Sequence, residues 1–259
     1  MISKQYKYYQ ELAMAKKAVK NTYKKICLKN KMDVKDKGAK DVVTNIDLMT
    51  EQFLINAIKS KYPQDIVVSE EGHPTAKVQG RSWIIDPIDG TINFAKDIEL
   101  WGTQLAFVVD GKPEFCVMYL PYIDELYYAA IGQGAYLNDQ LLPKQSPSKI
   151  ENYMALLDYS LFMQDYALQE TRPLFDSCMR LRMLGSSCYS FCKVAKGDYG
   201  AFVLYCKNPW DYIPGTVLCH ETGSTVYYKL AGEQKCHSTL VTFCPEVAKL
   251  LKFSKKMYK

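Results

Sequence analysis

The chain has no apolar run approaching the ~20 residues that a membrane-spanning helix needs, and its opening residues, MISKQYKYYQ, carry lysines with no apolar stretch behind them. The first absence excludes a helical span, and the second argues against a signal peptide. Histidine is scarce: His73, His220 and His237 are the only three and share no ligand spacing, so a zinc site is not expected. The nine cysteines are odd in number and none forms C-x-x-C. Most sit in apolar runs, as Cys116 does in FCVMY and Cys219 in VLCH. They read as small core residues of a protein kept in a reducing, cytoplasmic setting. No internal repeat is visible.

What is present describes a globular chain. Its 259 residues, 48% hydrophobic and 24% charged, suit one large domain or two small ones. The net charge of +5 is uneven: residues 1–40 hold twelve lysines against Glu11, Asp33 and Asp36, which is +9 and leaves −4 for the remainder. A basic N-terminus raises the question of nucleic acid. However, Leu12, Ala15, Val19, Tyr23 and Ile26 recur at helical spacing, with Lys16, Lys17, Lys20, Lys24 and Lys25 largely on the other side. That pattern describes one amphipathic helix with a solvated lysine face and disfavours a nucleic-acid partner.

The helix is expected to end near Lys29, followed by a basic loop, NKMDVKDKGAK. DVVTNID reads as a short strand leading to an N-cap, LMTEQFLINAIKSKYP as a helix up to Pro63, and DIVVSEEG as a strand running into two glutamates. GTQLAFVVDG, PEFCVMYLP and ELYYAAIGQG read as an antiparallel run. LLPKQSPSKIEN, rich in Pro, Ser and Lys, is the candidate boundary between an N-terminal α+β part (1–146) and a C-terminal α/β part (147–259). In the latter, MALLDYS, RLRML and YGAFVLY read as strands, and MQDYALQETRPLFDSC and GSSCYSFCKVAKG as helices, the second stopped by Gly197. NPWDYIPGTVLCHETG reads as a helix ending at Gly223, with Pro214 in its first turn.

The most informative stretch is WIIDPIDGTINF, Trp83–Phe94. Trp83, Ile84 and Ile85 read as a buried strand that Pro87 should stop at Asp86. Asp89-Gly90 is a turn pair, and Thr91 begins a short helix. Asp86 and Asp89 would converge there beside outward-pointing N–H groups, a place for a cation and a phosphate. Other acids also end apolar segments: Asp47 after VVTNI, Glu70 and Glu71 after IVVS, and Asp211 after NPW. Six carboxylates brought together would repel without cations among them, and oxygen-only ligands favour Mg²⁺ or Mn²⁺. Two such ions, ~4 Å apart, suit attack on phosphorus.

Asp47, Glu70-Glu71, the block Asp86-Pro87-Ile88-Asp89-Gly90-Thr91 and Trp210-Asp211 together resemble the inositol monophosphatase family, in order and spacing, over almost the whole chain. The resemblance implies a layered αβαβα sandwich of the inositol monophosphatase and fructose-1,6-bisphosphatase type. It also implies a Mg²⁺-dependent, lithium-sensitive phosphomonoesterase, commonly a homodimer, with two or three ions per site and Mn²⁺ as a possible substitute. Asp86 would bridge two ions, Glu70 and the Ile88 carbonyl would complete the first site, and Asp89 and Asp211 would hold the second. Glu71 would stand behind them. Thr91, helped by Asp47, would orient the attacking water and Glu70 would assist its deprotonation. The Gly90 and Thr91 N–H groups would hold the phosphate. Lys37 matches a loop lysine near a third metal site, and Gly185, Ser186 and Ser187 match a substrate-binding helix start.

Three departures from the family pattern are visible, the first being Ile92 at the variable position after Thr91, which the family tolerates. Ile213 and Pro214 in WDYIPG replace small residues beneath the metal site. Leu204 stands where inositol phosphatases carry a glutamate that bonds a substrate hydroxyl, so its side chain is expected to face the alcohol end of the ligand. Inositol 1-phosphate is therefore the expected substrate by family frequency only. Nucleotides (a 2′-phosphate of NADP, or 3′-phosphoadenosine 5′-phosphate) and sugar phosphates are the alternatives. A non-catalytic interaction protein retaining the fold is the alternative of another class.

Overall fold

In the computed structural model of the chain, residues 1–38, 41–160, 165–206, 208–231 and 236–258 are described. Helix α1 (Tyr9–Thr22) runs into a π-helical turn, Tyr23–Cys27. It buries Leu12, Ala15 and Val19, while Lys17, Lys24 and Lys25 are exposed, as the spacing predicted. The segment read as a basic loop instead contains β1 (Val34–Gly38), paired antiparallel with β2 (Asp41–Thr44). Its alternating Lys and Asp carry no apolar signal, so the ladder alone defines it. Thr44 then caps α2 (Asn45–Lys59) in a capping box with Asp47.

The first sheet takes β3 (Ile66–Ser69), β4 (Arg81–Asp89), β5 (Gly102–Val109), β6 (Lys112–Leu120), β7 (Glu125–Ala130), β8 (Gly134–Leu137) and β9 (Gln140–Leu141) in that order. The short helix α3 (Thr91–Ala95) sits between β4 and β5. β3 and β4 are parallel and the rest antiparallel. β4 does not stop at Asp86. It continues to Asp89 through a register shift, with Asp86 opposite Gln104 and Asp89 opposite Gly102. Pro87 falls inside that irregularity, where a central strand tolerates a residue without an N–H. The Pro87 carbonyl accepts a bond from the Thr103 hydroxyl at 2.9 Å.

The second sheet is built from β10 (Met154–Leu157), β11 (Arg180–Arg182), β12 (Ala201–Cys206), β13 (Thr225–Ala231), β14 (Cys236–Thr242) and β15 (Lys255–Lys256), in the order β11-β10-β12-β14-β13-β15. Its helices are α4 (Asp165–Ser177), α5 (Ser187–Lys196), α6 (Pro209–Glu221) and α7 (Pro245–Leu250). Pro214 is interior to α6, not in its first turn, because Pro209 already occupies the first position. β13, β14 and α7 carried no assignment from sequence.

Three cores stack these elements into five layers. One face of the first sheet packs on α1 and α2 through Trp83, Leu105 and Phe107. Its other face meets α5, α6 and the second sheet in a middle core with Met118, Phe191, Phe202 and Val217. The far face of the second sheet packs on α4 and α7 through Val203, Leu174 and Val247. The sandwich is therefore αβαβα. Helices α5 and α6 come together because Gly215 has no side chain: a Cβ there would lie 2.0 Å from Phe191 Cγ. That contact fixes where the N-terminal turn of α6, and Asp211 within it, emerges.

Candidate active site

β4 carries two acids into a buried place. Asp86 is 2% exposed and Asp89 9%. Asp211 enters from the first turn of α6, and the three carboxylates offer oxygens that all lie within 4.8 Å of one another. Burial is the largest force raising Asp86 above the ordinary carboxylate range, followed by the charges of Glu70, Asp89 and Asp211. Burial also raises Asp211, reinforced by Glu70, Asp89 and Asp158. Asp89 is pushed up to about 6 by burial, against bonds from Ser186, Ser187 and the Cys188 N–H. The Ser187 hydroxyl reaches it at 3.1 Å, so Asp89 also receives the donors of the first turn of α5. The neighbouring charges that move Asp86 and Asp211 are all acids.

This arrangement fits a hard cation. Asp86 Oδ1 is buried without a hydrogen-bond partner. Its Oδ2 has only a long contact, 3.4 Å, from Gln104 Nε2. An orphaned anionic oxygen among crowded carboxylates is costly unless something positive meets it. An all-oxygen set of this kind suits Mg²⁺ or Mn²⁺ rather than a soft metal.

Beside the acids, Gly90 turns the chain at φ +91°, where a side chain would be strained and a Cβ would stand 3.0 Å from Ser186 Cβ. The turn aims Thr91 at Asp47: its Oγ1 lies 3.0 Å from Asp47 Oδ1 and 2.9 Å from the Ile88 carbonyl. Asp47 is fully buried, and burial lifts it to about 6 despite bonds from Thr44 and Thr91, with Glu71 adding to the rise. Glu70 and Glu71 lie on the turn after β3. The Glu71 N–H donates to Glu51 Oε2 at 2.9 Å. Glu51 sits one helical turn beyond Asp47, so one face of α2 steadies both Thr91 and the glutamate turn.

The model of the inositol monophosphatase family matches residues 4–251. The chain belongs to this family. Among its relatives, the Nus factor SuhB of Escherichia coli K12 is 32% identical over 199 residues, covering 75% of this chain and 74% of the relative. The inositol-1-monophosphatase of Bacillus subtilis is 32% identical over 197 residues, 74% of each. An IMPase/NADP phosphatase solved with Mg²⁺ and phosphate shares the fold at a TM-score of 0.79 and 23% identity, covering 96% of this chain and 97% of that one. As a member of the inositol monophosphatase family, the chain is a phosphoric monoester hydrolase.

The remaining residues matched to the family divide. Gly185, Ser186 and Ser187 lie against the carboxylate cluster, the two serines bonded to Asp89. Leu204 is 3% exposed and packs in the middle core with Leu156 and Phe202, so the structure sets it beneath the site among apolar neighbours. Trp210 packs with Val68 and Ile84, with Ile213 against the same cluster. Lys37 has its backbone in β1, and its side chain lies outside what is described.

Three residues around this site escaped the sequence reading. Gln104 touches both Asp86 and Ser187, the latter at 3.2 Å. Its signal was a lone amide in the apolar strand GTQLAFVV. Asn93 donates to the carbonyls of Leu100 at 2.6 Å and Leu184 at 2.8 Å, tying α3 to the loop before α5. Glu51 was legible only as the residue four after Asp47.

Proposed function

We propose that this family member is a Mg²⁺-dependent phosphomonoesterase whose metal ligands are Asp86, Asp89, Asp211, Glu70 and the Ile88 carbonyl. The observation that carries the reading is the set of three carboxylates within 4.8 Å, Asp86 and Asp89 buried and Asp211 half-buried, with no positive partner among the groups that shift Asp86 and Asp211. Ions bound there supply Lewis acidity to the phosphoryl group and lower the pKa of water.

The chain's own residues do the rest. Asp47 accepts the Thr91 proton, leaving the Thr91 oxygen lone pairs to accept from, and so orient, the attacking water. Glu70 takes the proton that the water releases. The Gly90 and Thr91 N–H groups donate to the phosphate oxygens, where charge gathers as the phosphorus is attacked. Gly185 and the serines border the alcohol. Residues 1–146 would carry most of this machinery, and residues 147–259 would supply Asp211 and the substrate cap. A homodimer in the cytoplasm, sensitive to Li⁺ at the second metal position, completes the reading. No helix among the described residues is long and apolar enough to cross a membrane.

The substrate is a small phosphate ester, and the absence of a carboxylate at Leu204 supports a nucleotide or sugar phosphate over inositol 1-phosphate. One relative is a Nus factor, which keeps a binding role in view. Buried, mutually repelling acids aligned with Thr91 weigh against binding alone, because they destabilise a fold that does not use them. The test is phosphate release from inositol 1-phosphate, a 2′-nucleotide and a sugar phosphate, with and without Mg²⁺. Turnover that needs the metal and favours an ester other than inositol 1-phosphate is expected. No metal-dependent turnover on any ester defeats the enzyme reading.

A further inference from the structure

One acid beside the site is left without a task. Asp158 follows β10 directly, at the same end of the second sheet from which β12 leads to α6 and Asp211. β10 and β12 run parallel, with Leu156 opposite Phe202 and Leu157 opposite Val203. The Asp158 N–H continues that ladder by donating to the Val203 carbonyl at 3.0 Å. Extending the register by one residue sets Asp158 beside Leu204.

Side chains alternate along a strand. Leu157 and Val203 lie in the outer core, and Leu156 and Leu204 in the middle core. Asp158 therefore falls on the face of the sheet that looks toward α5, α6 and the carboxylates. Its charge is felt by Asp211, yet it is not one of the three acids whose oxygens cluster within 4.8 Å. It is half-buried, which leaves it open to a ligand. The Ser160 N–H and hydroxyl both donate to Asp158 Oδ1, at 2.8 and 2.5 Å. These two bonds hold the carboxylate in place and neither uses Oδ2.

We propose that Asp158 is a specificity-determining residue that accepts a hydrogen bond from a hydroxyl on the alcohol part of the phosphate ester. It selects a hydroxylated ring, a ribose or polyol, over an apolar alcohol. The proposal rests on the phosphatase reading above. An ionised carboxylate is an acceptor only, so what it recognises is a donor, and the donors on the alcohol part of a sugar or polyol phosphate are its hydroxyls. The neighbouring strand stands about 5 Å from β12. The acceptor is therefore displaced by that distance from Leu204, and the hydroxyl it reads is displaced with it.

The experiment compares kcat/KM of the Mg²⁺-loaded full chain for ribose 5-phosphate, whose alcohol part has hydroxyls as its only donors, and p-nitrophenyl phosphate, whose alcohol part has none. Asp158→Asn keeps an oxygen for Ser160 and replaces the other acceptor with a donor. Asp158→Ser is the second variant, retaining a local acceptor for the turn but no carboxylate. The ratio of the two specificity constants should fall about ten- to hundredfold, mainly through KM for the sugar phosphate, as expected for a lost bond to a charged group. A ratio within about twofold of wild type overturns the proposal. So does an equal loss on both substrates with a raised Mg²⁺ requirement, which would make Asp158 a modulator of Asp211. If wild type with Mg²⁺ hydrolyses no ester at all, the phosphatase reading itself fails and the proposal falls with it.

Discussion

The two ends of β4 bury carboxylates in opposite ways. At its start, Asp65 is 6% exposed and fully answered: Arg81 Nε and Nη2 donate to its two oxygens at 2.9 and 3.0 Å, and Trp83 Nε1 adds a third bond at 2.8 Å. The same guanidinium reaches Glu11 of α1 at 2.9 Å. The bonds that Arg81 donates to Asp65 are the largest cause that raises Arg81 above its ordinary value. At the other end, Asp86 and Asp89 meet Asp211 with no Arg or Lys paired to them among the described residues, and the charges that move Asp86 and Asp211 push in the same direction. The two ends of one strand thus border an acid satisfied by Arg81 and Trp83 and an acidic cluster in which Asp86 Oδ1 has no partner. Burial alone does not separate a structural carboxylate from a functional one; the partner does.

The comparison breaks most visibly on Asp86. Asp86→Asn should lower Mg²⁺-dependent turnover by about three orders of magnitude or more, roughly 4 kcal/mol of barrier. It should leave the metal-free protein at least as stable, because one of the repelling charges is gone. Turnover within tenfold of wild type, measured by phosphate release, would defeat the assignment.

The next effect is on stability against pH in chelator. Asp47 and Asp89 are raised to about 6, above the 3.8 of an ordinary aspartate. Between those values the folded chain holds protons that the unfolded chain has released. Their contribution is therefore fully present below pH about 4 and is lost as pH rises through 6, at most roughly 3 kcal/mol for each group. Melting of the chelated protein should accordingly move to lower temperature from pH 5 to pH 7.5, and Mg²⁺ should restore more at pH 7.5 than at pH 5. A flat profile without metal would mean that the acids do not strain the fold.

The smallest effect belongs to the satisfied end. Asp65→Ala removes three bonds but leaves Arg81 partly exposed and able to rehydrate, so the cost should stay near 2 kcal/mol in denaturant unfolding. Activity per folded molecule should hold. A loss of Mg²⁺ affinity in this variant would show that the two ends of β4 are coupled.

The acids of the carboxylate cluster were legible because each follows an apolar segment in the sequence: Asp86 and Asp89 after Trp83–Ile85, Asp47 after Val42–Ile46 and Asp211 after Asn208-Pro209-Trp210. The amphipathic α1 and the cap at Thr44 were legible for the same reason, since local periodicity and short-range bonds leave a mark on nearby residues. β1 was not, because Lys-Asp alternation resembles a solvated loop until a partner strand lies beside it. Nor was the continuation of β4 through Pro87, which depends on a bulge opposite Gln104 and Gly102.

By itself the sequence determined which residues could bear charge at the ends of apolar segments, and that they were of the right kind for a hard cation. Only the tertiary structure decided which of them meet. It brought Asp211 to Asp86 across more than a hundred residues, supplied Arg81 to Asp65 and, among the described residues, no cation to Asp86, sank Leu204 into the middle core and set Asp158 next to it. The physical reason is that pairing, burial and repulsion depend on distances between segments far apart in the chain. Those distances follow from how sheets and helices pack rather than from any local pattern.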